Sequence, residues 1–172
     1  RIRGTASFAT RPERGCARVF EEFAACVRRL LDERSIPVRA VEGICVGFAG
    51  MVSSEEGVLL LSTHLNWRDL PVREMLADAT GLRTHVDTEG SAMALGEYWF
   101  GAGRGVRDMI VVDIDDGIGV VSVHDGVVRR GAHCMDGEIG HSVMIEGGRR
   151  CRCGRTGCLE AVASGPGMIE GY

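Results

Sequence analysis

No apolar run in the 172 residues approaches the roughly 18 that a membrane-spanning helix needs, so a helical membrane span is excluded. No basic run or recognition-helix pattern offsets the net charge of −4, and a nucleic-acid surface on this piece is not expected. Repeats and low-complexity tracts are also missing, and nothing in the composition suggests disorder. The 25 glycines follow no collagen-like period and fall mostly at turns between short segments. No secretory signal precedes the first strand-like stretch. The cysteines do not form a disulfide framework either: there are seven, and Cys16, Cys26, Cys45 and Cys134 are scattered through apolar segments. An odd count of scattered thiols fits a reducing compartment, and the expected location is cytoplasmic.

The other three cysteines are clustered. From Gly137 to Glu160 the chain reads GEIGHSVMIEGGRRCRCGRTGCLE, which sets His141, Cys151, Cys153 and Cys158 in the pattern H-x9-C-x-C-x4-C. Three thiolates and one imidazole are the donor set of a closed tetrahedral zinc site, and soft ligands clustered in a Gly/Arg-rich loop have few other uses in a reducing compartment. Incidental thiols near a turn are the plainer alternative. Four protein ligands leave no open coordination position, so a structural role is expected. Glu138 and Glu160 frame the cluster, and a metal that fixes the loop would also fix where these carboxylates point. Arg149, Arg150, Arg152 and Arg155 read as a solvated face that would also favour thiolates.

Hydrophobic periodicity supplies the rest. Val19, Phe20, Phe23, Ala24, Val27, Leu30 and Leu31 repeat at helical spacing between Cys16 and Arg34. Residues 1–4 are expected to end a strand, and 40–48, 58–61, 82–86 and 109–114 to form strands. Residues 118–123 and 127–130 read as a hairpin across His124-Asp125-Gly126. Helices are expected from Pro71 to about Thr80 with Gly81 as the stop, from Ser91 to Phe100, and from Leu159 to Ser164. Residues 53–57 read as a polar loop and Asp87 to Gly90 as a polar break. The alternation predicts an α/β fold with a boundary between Gly101 and Arg107. Residues 1–105 would then be a first lobe and 106–172 the start of a second, carrying the loop 137–160.

Residues 131–165, through GEIGH and the element CxCGxxGCxE, closely resemble the ROK family of sugar kinases and sugar-responsive repressors. Further matches are ALGEYWFGAGRG from Ala94 to Gly105, NWRDLPVRE from Asn66 to Glu74, and the segment Gly47 to Gly50. The resemblance thus covers nearly all of the chain from Gly43 onward. It implies an actin-like, ribonuclease-H-like pair of α/β lobes with sugar and ATP between them. Family members carry a DxGxT phosphate loop before the matched segment and a long stretch after it, so the chain is expected to be an excerpt, truncated at both ends.

The resemblance also implies roles. His141, Cys151, Cys153 and Cys158 match the family's zinc ligands. Glu138, His141 and Glu160 match residues that face sugar hydroxyls, a task that suits carboxylate oxygens as paired acceptors. Holding the metal-loop backbone is the alternative for the two glutamates. Gly50 matches a glycine whose backbone approaches the sugar, and His64 stands where the family usually has asparagine. Thr88 and Glu89 occupy the place of an Asn-Asp pair whose aspartate is the kinases' general base. Glu89 keeps the carboxylate but shifts it by about a bond length, and errors near 1 Å can be worth ~100-fold in rate. Thr88 cannot reproduce the amide. Some xylose-type regulators of the family resemble this chain in having Glu there.

The family's second phosphate loop, Gly-Thr-Gly-x-Gly, is matched by Asp115-Asp116-Gly117-Ile118-Gly119. Gly117 and Gly119 survive, but the two aspartates would repel a triphosphate unless magnesium bridged them. Capping the turn and facing water is the other reading of the aspartates. Together these departures point to the sugar-binding, zinc-containing effector domain of a ROK transcriptional regulator without kinase activity. It would form a homodimer or tetramer and reach DNA only through a helix-turn-helix absent from this chain. The alternative is an ATP- and magnesium-dependent kinase of a hexose or N-acetylhexosamine with Glu89 as base. A remnant that keeps only the zinc fold is the third reading.

Overall fold

The amphipathic segment after Gly15 folds as helix α1 (Cys16–Glu33), which buries Val19, Phe20 and Ala24. In this computed structural model, which describes residues 2–171, α1 belongs to the first of two compact units, Arg1–Thr88. Residues 2–10 form no strand, unlike the expectation for 1–4, whose Arg1 lies outside the described residues. Strand β1 (Ile44–Phe48) starts later than expected, because the chain after Pro37 makes a 3-10 turn at Val38–Ala40. β2 (Met51–Ser53), β3 (Val58–Ser62) and β4 (Trp67–Leu70) form an antiparallel meander. Helix α2 (Val72–Thr80) follows Pro71 and stops at Gly81, whose φ of 71° is a left-handed cap and whose N–H donates to Ala77 O at 2.8 Å.

β5 (Thr84–Thr88) then pairs in parallel with β1, Ile44 opposite Thr84 and Phe48 opposite Thr88. Phe20 sits in the core of this unit, its ring 5.7 Å from that of Trp67 and 6.2 Å from that of Phe48, both edge-on. Val52, Leu59, Val72, Leu76 and Val86 pack in the same core. Truncating a ring held this way costs about 3–5 kcal/mol. Tertiary packing, more than propensity, therefore holds α1 in place.

Residues 87–90 are not a break. β5 runs to Thr88, and α3 (Glu89–Phe100) begins at the next residue. α3 belongs to the second unit, Glu89–Tyr172, with β6 (Asp108–Ile114), β7 (Ile118–His124) and β8 (Val127–Val128). Its Ala94, Leu95 and Tyr98 pack around Val123 and Val128. This differs from the boundary expected near residue 105, because a helix groups with the sheet that buries its apolar face. The three strands are antiparallel in the order β6-β7-β8. Asp125 and Gly126, with φ of 49° and 76°, make the two-residue turn between β7 and β8, as a primed hairpin turn requires.

Where one helix was expected over 159–164 there are two, α4 (Glu160–Ala163) and α5 (Gly165–Ile169). Ser164 separates them: its extended backbone, ψ 167°, ends the first, and its hydroxyl accepts from Gly167 N–H at 3.2 Å to start the second. Helices and strands are mixed along the chain, with β1–β4 between α1 and α2 and β6–β8 between α3 and α4, in keeping with an α/β fold. No helix among the described residues is long and apolar enough to cross a membrane.

Candidate functional site

The outer edge of β7 sets the geometry of the site. Its even-numbered residues turn their backbone groups away from β6. Ser122 O accepts from Arg129 N–H at 2.9 Å, Val120 N–H donates to Gly137 O at 3.1 Å, and Ile118 N–H donates to Glu160 Oε2 at 3.2 Å. GEIGH therefore lies along that edge, backbone against backbone. A Cβ on Gly137, at φ 90°, would stand 1.7 Å from Val120 O, and one on Gly140 2.2 Å from Ile118 O. Glycine alone fits both places. Close seating of the two glycines fixes Glu138 and His141 at either end of a 3-10 turn, Ile139–His141.

His141 Nδ1 lies 3.5 Å from Cys151 Sγ, and Cys153 Sγ lies 3.7 Å from Cys158 Sγ. All four ligand atoms are within 4.8 Å of one another. A tetrahedron with metal–sulfur bonds of about 2.3 Å and a metal–nitrogen bond of about 2.0 Å has S···S edges near ~3.8 Å and N···S edges near ~3.5 Å. A disulfide would instead need about 2.05 Å. Both close pairs match tetrahedral edges, so the donor set fits a tetrahedral cation. The loop is closed by paired bridges, Val143 with Cys158 and Arg150 with Thr156. Cys151 and Cys158 are buried, while His141 and Cys153 are half-buried.

The thiols are unequal. Burial first, and then the neighbouring Cys153 and Cys158 thiols, push Cys151 up to about 12. Burial also opposes ionisation of Cys153, but the backbone N–H and guanidinium of Arg155, with the other two thiols, outweigh it and bring Cys153 down to about 7. Cys153 is thus the readier of the two to ionise. Three anions this close repel one another, and a bound cation is what would let all three ionise.

Both framing glutamates contact the cluster. Glu138 Oε2 is 3.7 Å from His141 Nε2, and Glu160 Oε1 accepts from Cys151 Sγ at 3.7 Å. Glu160 also closes on the turn after β6, where a Cβ on Gly117 would be 2.9 Å from its Oε2. In that turn Asp115 N–H donates to Gly117 O at 3.0 Å, and Asp115 O accepts from Gly165 N–H at 2.8 Å. Asp115 and Asp116 are exposed, and Gly119 faces open space. The second unit therefore gathers Gly117, Glu138, His141 and Glu160 around the cysteines.

Thr88 ends β5, its N–H donating to Asp87 Oδ1 at 2.8 Å, and Glu89 is the exposed first residue of α3. Gly50 belongs to the first unit, as does Thr88. With φ 127° and a would-be Cβ 2.3 Å from Leu61 O, it must be glycine for the packing of the first unit alone. His64 lines an open hollow of about 600 Å³ on the first unit with Glu13, Cys16, Asn66 and Arg68. Two features escaped the sequence. Asp87 reads as one polar residue among several, yet it is only 4% exposed at the end of β5. The bond from Ile118 N–H to Glu160 spans 42 positions of chain, and no local pattern signals it.

Comparison with known proteins agrees with these motifs. The sequence profile of the ROK family matches residues 11–172. A glucokinase of Halalkalibacterium halodurans is 40% identical over 129 residues, which is 74% of this chain and 39% of that protein. The xylose repressor of Caldicellulosiruptor bescii is 36% identical over 132 residues, 77% of this chain and 33% of that protein. Among solved structures, a ROK family glucokinase from Streptomyces griseus in complex with glucose and AMPPNP gives a TM-score of 0.82 at 29% identity, over 95% of this chain and 50% of that one. The chain thus spans half or less of the length of these relatives. With motifs, sequence and actin-like α/β fold in agreement, the chain belongs to the ROK family.

Proposed function

We propose that this chain is the sugar-binding, zinc-holding effector part of a ROK transcriptional regulator that does not transfer phosphate. The observation that carries this reading is the state of the 115–119 turn. A phosphate cradle needs free amides and little negative charge. Here the amides of Asp115 and Ile118 are already donated, the second to a carboxylate, and the two aspartates in the turn that the family resemblance matches to a phosphate loop are exposed. Glu89 in place of a shorter base, and Thr88 in place of an amide, agree with the loss of chemistry.

His141 through Nδ1, Cys151, Cys153 and Cys158 would hold the zinc, with Glu138 orienting the far side of the imidazole. Four protein ligands close the tetrahedron, so the ion supplies rigidity to the loop. That rigidity presents Glu138 and Glu160 as acceptors for sugar hydroxyls; by the family resemblance Gly50 and Thr88, in the first unit, and Glu89, in the second, are further candidates for sugar contact. A sugar that favours one arrangement of the protein shifts the regulator by its differential affinity. The assembly would be a homodimer or tetramer in the cytoplasm, and DNA would be read by an element outside these 172 residues.

The similarity to glucokinases favours a second reading. In it Glu89 takes the proton from the sugar hydroxyl, and Gly117 and Gly119 approach the phosphates of magnesium-bound ATP. An ADP-release assay separates the two, using the zinc-loaded protein, ATP, magnesium and a panel of hexoses, pentoses and N-acetylhexosamines, with sugar binding followed by calorimetry. Binding without turnover is the expected result. Turnover with any of these sugars would overturn the regulator reading.

A further inference from the structure

Glu160 is the side chain that joins the cysteine cluster to the 115–119 turn. Its Oε1 meets the thiol of Cys151 at 3.7 Å, and its Oε2 takes Ile118 N–H at 3.2 Å. Along the outer edge of β7, residue 122 pairs with Arg129 and residue 120 with Gly137. At 118 the partner is a carboxylate, so Glu160 supplies the last rung of a backbone ladder. The turn comes close to it, since a Cβ on Gly117 would lie 2.9 Å from the same Oε2. Glu160 is itself held from the cluster: Cys158 stands two residues before it, and Leu159 N–H donates to Ser142 O at 2.9 Å beside His141. Five residues on, Gly165 N–H grips Asp115 O at 2.8 Å.

We propose that Glu160 is a positioning residue that transmits the state of the metal cluster to the 115–119 turn. With Cys158 fixed by the ion and Leu159 N–H bonded to Ser142 O, Glu160 is held against β7 and occupies the Ile118 amide; the Cys151 contact belongs to the thiol form and is not needed for this. With the ion removed, the loop relaxes, Glu160 withdraws, and the amide is freed. The inference rests on the metal reading of the cluster and needs no sugar.

Amide hydrogen exchange followed by NMR tests it, on the zinc-loaded chain, the chelated chain, and the Glu160→Ala and Glu160→Gln variants, with zinc content measured in each. A hydrogen bond to a charged acceptor slows exchange enough that its loss should speed the Ile118 amide about tenfold or more. The acceleration is expected in Glu160→Ala and after chelation, while Val120 N–H, bonded to Gly137 O, changes less. Glu160→Gln retains an acceptor oxygen and should keep most of the protection. A slow Ile118 amide in Glu160→Ala, or after chelation, would overturn the coupling. So would a Gln variant as fast as the Ala variant. A wild-type chain that retains no zinc would overturn the coupling together with the metal reading, and the metal analysis distinguishes this from failure of the link alone.

Discussion

Replacing Gly137 by alanine tests whether GEIGH is seated on β7 as described. The added methyl would start 1.7 Å from Val120 O, whereas Cβ contacts in proteins do not fall below 3.0 Å. Loop and strand must therefore separate by about 1.3 Å, the difference between those two distances. That takes the Val120 N–H···O Gly137 bond, now 3.1 Å, beyond hydrogen-bond length. Losing the bond costs about 1 kcal/mol, and holding alanine in a left-handed conformation about 1–2 kcal/mol more. For a unit of this size a total of about 2–3 kcal/mol lowers the melting temperature by roughly 10 °C or more. Because Glu138 and His141 ride on the same turn, zinc affinity should fall as well. Thermal unfolding by circular dichroism and competition with a chromophoric chelator measure the two effects. Gly119→Ala, whose methyl would meet open space, is the matched control. If Gly137→Ala melted and bound zinc like Gly119→Ala, the seating of GEIGH on β7 would be refuted.

Other expected outcomes follow from the same geometry. Cys153→Ser should lose zinc and sugar together, whereas Glu160→Ala should lose sugar response with zinc content unchanged; normal sugar binding by the Cys153 variant would separate the two sites. In the metal-free chain Cys153 should alkylate first, with half-maximal rate near pH 7, because Arg155 more than offsets burial there. Its reactivity falls as pH drops through that value, Arg155→Ala should shift the profile upward, and equal rates for Cys151 and Cys153 would contradict the assignment. Asp115→Gly with Asp116→Thr removes two exposed carboxylates from the turn, so ATP binding by calorimetry should strengthen by tenfold or more, on the order of the repulsion removed. Unchanged binding would mean that the aspartates face water and nothing else.

Long amphipathic elements were legible because burial repeats along them. α1 is marked by seven apolar residues at helical spacing, and α2 by Pro71 before it and Gly81 after it. β2 and β4 were not, since strands of three and four residues are too short to display alternation. The junction at Thr88 and Glu89 misled for a different reason. Asp87 and Thr88 are polar residues that continue a buried parallel strand, so a strand and a helix meet where composition suggests a loop.

The site divides along the same line. Ligand identity is local chemistry, and H-x9-C-x-C-x4-C carries it in one stretch of sequence. What the ligands stand on is not local. Gly137 and Gly140 are glycine because β7, some twenty residues earlier in sequence, has carbonyls where their Cβ atoms would be. Glu160 is a neighbour of Cys158 in sequence, but its second oxygen belongs to the amide of Ile118. The cysteine cluster and the 115–119 turn are therefore not independent features that happen to coexist. They share one carboxylate, and a chain that commits that carboxylate to the turn's own amide has one donor fewer to offer a nucleotide.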